Sequence, residues 1–146
     1  MRSYPDAEIA GQPAGYWTGV AHRAVIGHIR AALAREDLTQ PHWWVLNQVA
    51  ASPGTWTRAT LAERLAGFAD TDFTAVAGNL VDRGWLADTG TLRLTEAGEA
   101  GRARAKAHTA DALDRIHAHI STTDYVTTVN VLRRMVDNLG GDSNLP

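Results

Sequence analysis

Residues 58–98 read RATLAERLAGFADTDFTAVAGNLVDRGWLADTGTLRLTEAG. Leu61, Leu65 and Phe68 recur at three- and four-residue spacing, which predicts a helix over Arg58–Phe68 with one apolar face. Phe73, Val76, Ala77 and Leu80 repeat that pattern in a second helix, and Gly84 stops it, because a glycine just past the last periodic residue can take the left-handed conformation of a helix end. Leu92 and Leu94 then alternate with Thr91, Arg93 and Thr95 at the period of a half-buried strand. Thr89-Gly90 supplies a tight turn from the strand begun at Trp85. Helix, turn, helix and a two-stranded hairpin make a winged helix-turn-helix, a mainly α architecture whose second helix is suited to a DNA groove.

Composition narrows the rest. A chain of 146 residues with 45% hydrophobic content can bury a core without staples. The absence of cysteine excludes disulfides, thiolate zinc sites, iron-sulfur clusters and thiol-based sensing. No apolar run is long enough to span a bilayer, and MRSYPDAEIAGQPAG lacks a basic region followed by a hydrophobic one, so a cytoplasmic location with no membrane partner is expected. A formal net charge of -2 runs against the basic stripe usual in DNA binders.

Outward from the head, residues 1–14 carry Pro5, Gly11 and Pro13 and are expected as a flexible N-terminal arm. Residues 15–36 form a helix with a broad apolar face that includes Trp17, Val20, Val25, Ile29 and Leu33. After a break at Asp37-Leu38-Thr39, Thr39 caps a helix that has Pro41 in its first turn and carries Trp43, Trp44, Leu46 and Val49. Beyond the hairpin, Thr95 caps a long helix expected to reach Ile120, with a small-residue seam of Ala103, Ala107 and Ala110. A last helix repeats Tyr125, Val129, Leu132, Val136 and Leu139 at four- and three-residue steps. Residues 15–36 and 96–140 thus read as a helical dimerisation region flanking a winged helix-turn-helix DNA-binding domain at 37–95. A two-fold homodimer would present two recognition helices about 34 Å apart.

The order of these pieces resembles the MarR (multiple antibiotic resistance regulator) family of bacterial winged-helix transcription factors over nearly the whole chain. LTQPHWWVL, TLAERL, NLVDRGWL and above all LRLTEAG carry the resemblance. It implies a homodimer held by its first and last helices, a pseudo-palindromic double-stranded operator, and a transcriptional regulator, a repressor, whose affinity for DNA falls when a small aromatic ligand enters between dimerisation helices and head. The head departs from the family pattern. Two positions expected to be basic hold Ala75 and Asn79, and the wing tip is only Asp88-Thr89-Gly90, with no arginine. Between Pro53 and Thr95, four arginines face five carboxylates. The alternative is therefore the same dimeric scaffold with weakened or lost DNA binding, serving as a ligand-binding or protein-interaction module.

The candidate DNA-binding residues are Thr57, Arg58, Asp72, Thr74, Ala75, Asn79, Arg83 and Arg93. Asp72 can accept from the cytosine amino group, Asn79 can pair with adenine, and Arg83 can reach guanine or phosphate. Thr57 and Thr74 lie near helix N-termini, where they could donate to phosphates or simply cap. Arg93 points outward from a strand whose leucines point in. Trp17, Trp43 and Trp44, with His22 or His42 to orient a carboxylate or phenol, are the candidate ligand-binding residues. They could equally fill the junction between the helices. The six histidines do not share helix faces as metal ligands do, so no metal and no cofactor are expected. No nucleophile-base-acid set, phosphate loop or carboxylate pair points to catalysis.

Overall fold

The computed structural model describes residues 2–144. Met1, part of the expected arm, lies outside the described residues, as do Leu145 and Pro146. In order, the elements are α1 (Asp6–Ala10), α2 (Ala14–Leu33), a 3-10 turn (Ala34–Glu36), α3 (Gln40–Ala51), α4 (Arg58–Leu65), α5 (Phe73–Asp82), β1 (Leu86–Asp88), β2 (Leu92–Leu94), α6 (Glu96–His117) and α7 (Thr122–Asn138). The chain is therefore mainly helical with one antiparallel hairpin, as the patterning predicts. It divides into two compact units, residues 1–112 and 113–146.

In the first unit, α3, α4, α5 and the hairpin enclose a core that includes Leu33, Leu46, Leu61, Phe73, Leu80 and Leu92, each at most 2% exposed. Local chemistry sets the joints between them. The backbone N–H of Thr39 donates to Nδ1 of His42, closing the start of α3, where the missing N–H of Pro41 leaves no orphan donor. Thr57 caps α4 by accepting from the N–H of Thr60, and Asp72 caps α5 by accepting from that of Ala75. At the end of α5, Gly84 has φ 71°, and the N–H groups of Gly84 and Trp85 return to the carbonyls of Val81 and Leu80. That glycine-terminated reversal aims the chain into the wing.

The hairpin pairs Leu86 with Leu94 and Asp88 with Leu92, around a turn in which Gly90 has φ 97°. Leu86 and Leu92 are buried while Arg93 is exposed, the alternation expected of a strand with one wet face. The segment before α4 lies along β2, because Leu92 donates to the carbonyl of Trp56 and Gly54 donates to that of Leu92. These bonds tie the wing to the base of the helix-turn-helix.

Two expectations about faces change. Phe68 was expected in the core, but α4 ends at Leu65 and the N–H of Phe68 turns back to the carbonyl of Leu65. This carries the ring off the helical period; it is 52% exposed and touches the edge of the core at Trp44, 5.5 Å away between centroids. On α6 the buried residues are Gly98, Gly101, Ala105, Thr109 and Ala112, whereas Ala103, Ala107 and Ala110 are exposed. The alanine seam reads as the contact line, but the indole of Trp85 lies against Gly101 and needs a position without a side chain.

Within the stretch expected as an arm, α1 is a five-residue helix with no buried residue. In the second unit, Ser121 caps α7 through the N–H of Asp124, and the rings of His117 and Tyr125 meet edge to face at 5.0 Å. α7 buries no residue; Tyr125, Leu132, Val136 and Leu139 of its predicted stripe are all exposed.

Candidate nucleic-acid interface

α5 buries Phe73, Ala77 and Leu80. Helical geometry then places Ala75, Gly78, Asn79 and Asp82 on the opposite side, where Ala75, Asn79 and Asp82 are exposed. This is the surface that a helix-turn-helix presents to a groove. Thr74 is exposed on its flank, and Thr57 is exposed at the cap of α4. One oxygen of Asp72 is already engaged at the N-cap of α5.

The arginines stand differently from what their positions in sequence suggest. Arg83 does not project from the outward face. It donates to the carbonyls of Asp37 (2.9 Å) and Glu36 (3.0 Å), and its guanidinium lies 4.6 Å from the ring centre of Trp85. Two backbone acceptors at the left-handed Asp37 corner and one aromatic face thus fix it as a clasp between the end of α5 and the 3-10 turn that follows α2. Arg93 is exposed, but its guanidinium folds across Gly54, in the space a Cβ there would fill. Arg58 donates from Nε to Oδ2 of Asp88 at 2.7 Å. Asp88 also accepts from the N–H of Gly90, so one carboxylate holds both the wing turn and the start of α4.

Asn79 is gripped from behind. The Nδ1 atom of His42 takes the N–H and the hydroxyl of Thr39, at 3.2 and 2.8 Å, which leaves the proton on Nε2 to be donated to Oδ1 of Asn79 at 3.1 Å. The amide nitrogen of Asn79 is thereby turned outward. Both ring nitrogens of His42 are engaged in this chain, so it anchors the recognition helix rather than facing a ligand space. Burial lowers the pKa of His42, with the Arg83 charge adding to the effect and the Asn79 contact opposing it.

Of the other residues expected to bind a ligand, Trp43 and Trp44 are half-buried against the core, and Trp44 packs 6.3 Å from Phe73. His22 is exposed on α2. Trp17 is 53% exposed, meets Tyr16 edge to face, and lines a cavity of about 600 Å³ with Arg2, Tyr4, Ile9 and Gln12. The structure therefore separates Trp17 from the Trp43/Trp44 pair. Among the described residues no group of three or more His, Asp or Glu side chains is placed to hold a metal ion, and no helix is long and apolar enough to cross a membrane.

Residues 26–146 match a family described as a helix-turn-helix family. The chain belongs to this helix-turn-helix family. A MarR-family protein of Mycobacterium tuberculosis, solved in complex with DNA, is 27% identical with a TM-score of 0.66, over 89% of this chain and 99% of that one. The transcriptional repressor CouR, solved bound to p-coumaroyl-CoA, is 27% identical with a TM-score of 0.68, over 86% and 92% of the two chains. The PcaV transcriptional regulator from Streptomyces coelicolor shares the fold with a TM-score of 0.73 at 23% identity, over 88% and 98%. No curated protein matches by sequence. The resemblance to the MarR family carried by LRLTEAG and its neighbours thus extends over most of this helix-turn-helix protein.

Asp88 and Gly78 are the site residues that the sequence does not announce, since their roles depend on Arg58 lying near both. A second polar cluster joins the 3-10 turn after α2 to α6: Glu36 accepts from Arg104 at 2.8 and 2.9 Å and lies 3.5 Å from Nε2 of His108. The hydrogen bond and charge of Arg104 hold the carboxyl of Glu36 below its ordinary range. His42 gives this helix-turn-helix protein a pH dependence of definite sign. The folded chain holds the imidazole proton less tightly than the unfolded chain does, so the unfolded state takes up more protons once the pH falls below about 6.5. The contribution of a neutral His42 is complete above that value and is lost as the pH drops toward its lowered folded value. Thermal unfolding followed by circular dichroism will show a midpoint that falls from pH 7 to pH 5, and His42→Gln will flatten this part of the profile.

Proposed function

We propose that this chain is a homodimeric DNA-binding transcriptional regulator of MarR type, a repressor that acts without catalysis in the cytoplasm and releases its operator when a small aromatic ligand binds. The observation that carries the reading is an exposed recognition-helix face above a wing, in a chain similar over 89% of its length to a MarR-family protein solved with DNA. The exposed apolar side chains of α2 and α7, among them Trp17, Tyr125, Leu132 and Val136, favour a second copy as their cover. The repressor CouR binds p-coumaroyl-CoA, and the cavity beside Trp17 has the size of a small-ligand site with aromatic walls. A ligand there acts only through its different affinity for DNA-competent and incompetent dimers.

The engaged arginines of the head support the second reading, a dimeric scaffold that has lost DNA binding. Footprinting on fragments of the source genome, with the mass of the bound species measured in parallel, separates the two. A dimer protecting two half-sites about one helical turn apart is expected. A dimer that protects nothing would support the scaffold reading, and a monomer would contradict both.

A further inference from the structure

We propose that Arg58, although it belongs to the helix before the turn, is the guanine-reading side chain of the head, laid over Gly78 of the recognition helix and aimed by Asp88 of the wing. The inference rests on the DNA-binding reading above and adds to it the base that is read and the residues that read it.

Three elements converge on this guanidinium. Arg58 opens α4, Gly78 lies midway along α5, and Asp88 ends β1. A Cβ placed on Gly78 would lie 3.3 Å from a terminal nitrogen of Arg58, so the guanidinium packs directly on the helix backbone at the one outward position lacking a side chain. Nε is committed to Asp88 at 2.7 Å, and among the described residues neither terminal nitrogen has a hydrogen-bond acceptor. The Arg58 side chain keeps 38% of its surface exposed.

This arrangement fits a base edge better than a phosphate. The carboxylate already compensates the charge of Arg58, which removes most of the counterion-release gain that a phosphate contact supplies, and a phosphate would have to compete with Asp88. What remains is direction. With Nε fixed, the plane of the fork is set and its two terminal N–H groups project together, the geometry that pairs bidentately with O6 and N7 of guanine. Of the other head arginines, Arg83 is spent on two carbonyls and Arg93 across Gly54, and Arg64 is exposed in the last turn of α4, at the other end of that helix from Arg58. Ala75 and Gly78 leave the helix surface low enough for Arg58 to lie on it.

Selection of duplexes from a randomised pool by the full chain tests this directly, with Arg58→Ala, Asp88→Asn and Gly78→Ala run beside it. The wild type is expected to select guanine at one position in each half-site. Arg58→Ala should lose about 10- to 100-fold of discrimination at that position alone. Replacing that guanine by 7-deazaguanine should weaken the wild type and leave Arg58→Ala nearly unaffected, the signature of a direct pair. Gly78→Ala, favoured in a helix, should keep or raise the melting temperature while weakening the same preference by displacing the guanidinium a few tenths of an ångström, which separates readout from folding. Asp88→Asn should loosen the preference without abolishing binding. The proposal is overturned if Arg58→Ala weakens all duplexes evenly with a shallower salt dependence, which marks a phosphate contact. It is also overturned if Asp88→Asn binds more tightly with its preference intact, which marks the carboxylate as a competitor of DNA. Selection of no sequence by the wild type would end the DNA-binding reading together with this one.

Discussion

Replacing Phe73 with alanine will lower the free energy of unfolding by about 3–5 kcal/mol. Phe73 is 2% exposed, is the first residue of the recognition helix, and packs against Trp44 of α3. Its removal loses the transfer energy of a whole ring and leaves a cavity in a layer where Leu46, Leu61 and Leu80 are fully buried and cannot easily collapse. Domains of this kind are stable by about 5–15 kcal/mol in total, so the loss removes a large share of the stability of the fold. A urea titration followed by circular dichroism checks it. A loss under about 1 kcal/mol would mean that the ring is not a core element.

Gly98→Val should be the most damaging change outside that core. A Cβ at position 98 would run into the backbone carbonyl of Trp85, which already accepts from the N–H of Thr95 and cannot swing aside as a flexible side chain could. The same joint includes the Thr95 hydroxyl, which donates to the carbonyl of Gly84 at 2.6 Å and accepts from the N–H of Gly98. Overpacking against fixed backbone costs about 1–3 kcal/mol or more, and the strain falls where the wing enters α6. The expected result is a destabilised protein in which the hairpin amides exchange faster than those of α3 and α4, measured by hydrogen exchange. Slow exchange throughout the hairpin would show that the joint does not depend on Gly98.

What was legible in the sequence was local. The Thr57 and Thr95 caps, the Gly84 stop, the Thr89-Gly90 turn and the buried line of Phe73, Ala77 and Leu80 each depend on residues a few positions apart, and all fall where the patterning puts them, whereas the α4 period ends before Phe68. Side-chain commitments across the fold were not legible. Arg58 and Asp88 are thirty residues apart, and Arg83 reaches carbonyls at 36 and 37, so nothing in the spacing marks the first as aimed and the second as spent. The outward face of α5 could be read as Ala75, Asn79 and Arg83, but the last of these turns back because a left-handed corner at Asp37 offers it two acceptors. Likewise alanines on α6 looked like the packing line, whereas a tryptophan from the hairpin required glycines. The aromatic residues expected to share a ligand site divide for a similar reason: Trp44 is drawn to the core by Phe73, while Trp17 stands exposed near the start of α2.

Paired heads of this chain are expected to read a duplex. Equilibrium binding to a selected symmetric site and to a scrambled duplex, each measured between 50 and 200 mM salt, tests it most directly. Affinity for the selected site should be at least about 10³-fold tighter than for the scrambled one, with both weakening as salt rises. Equal, weak affinity for the two duplexes at every salt concentration would contradict it.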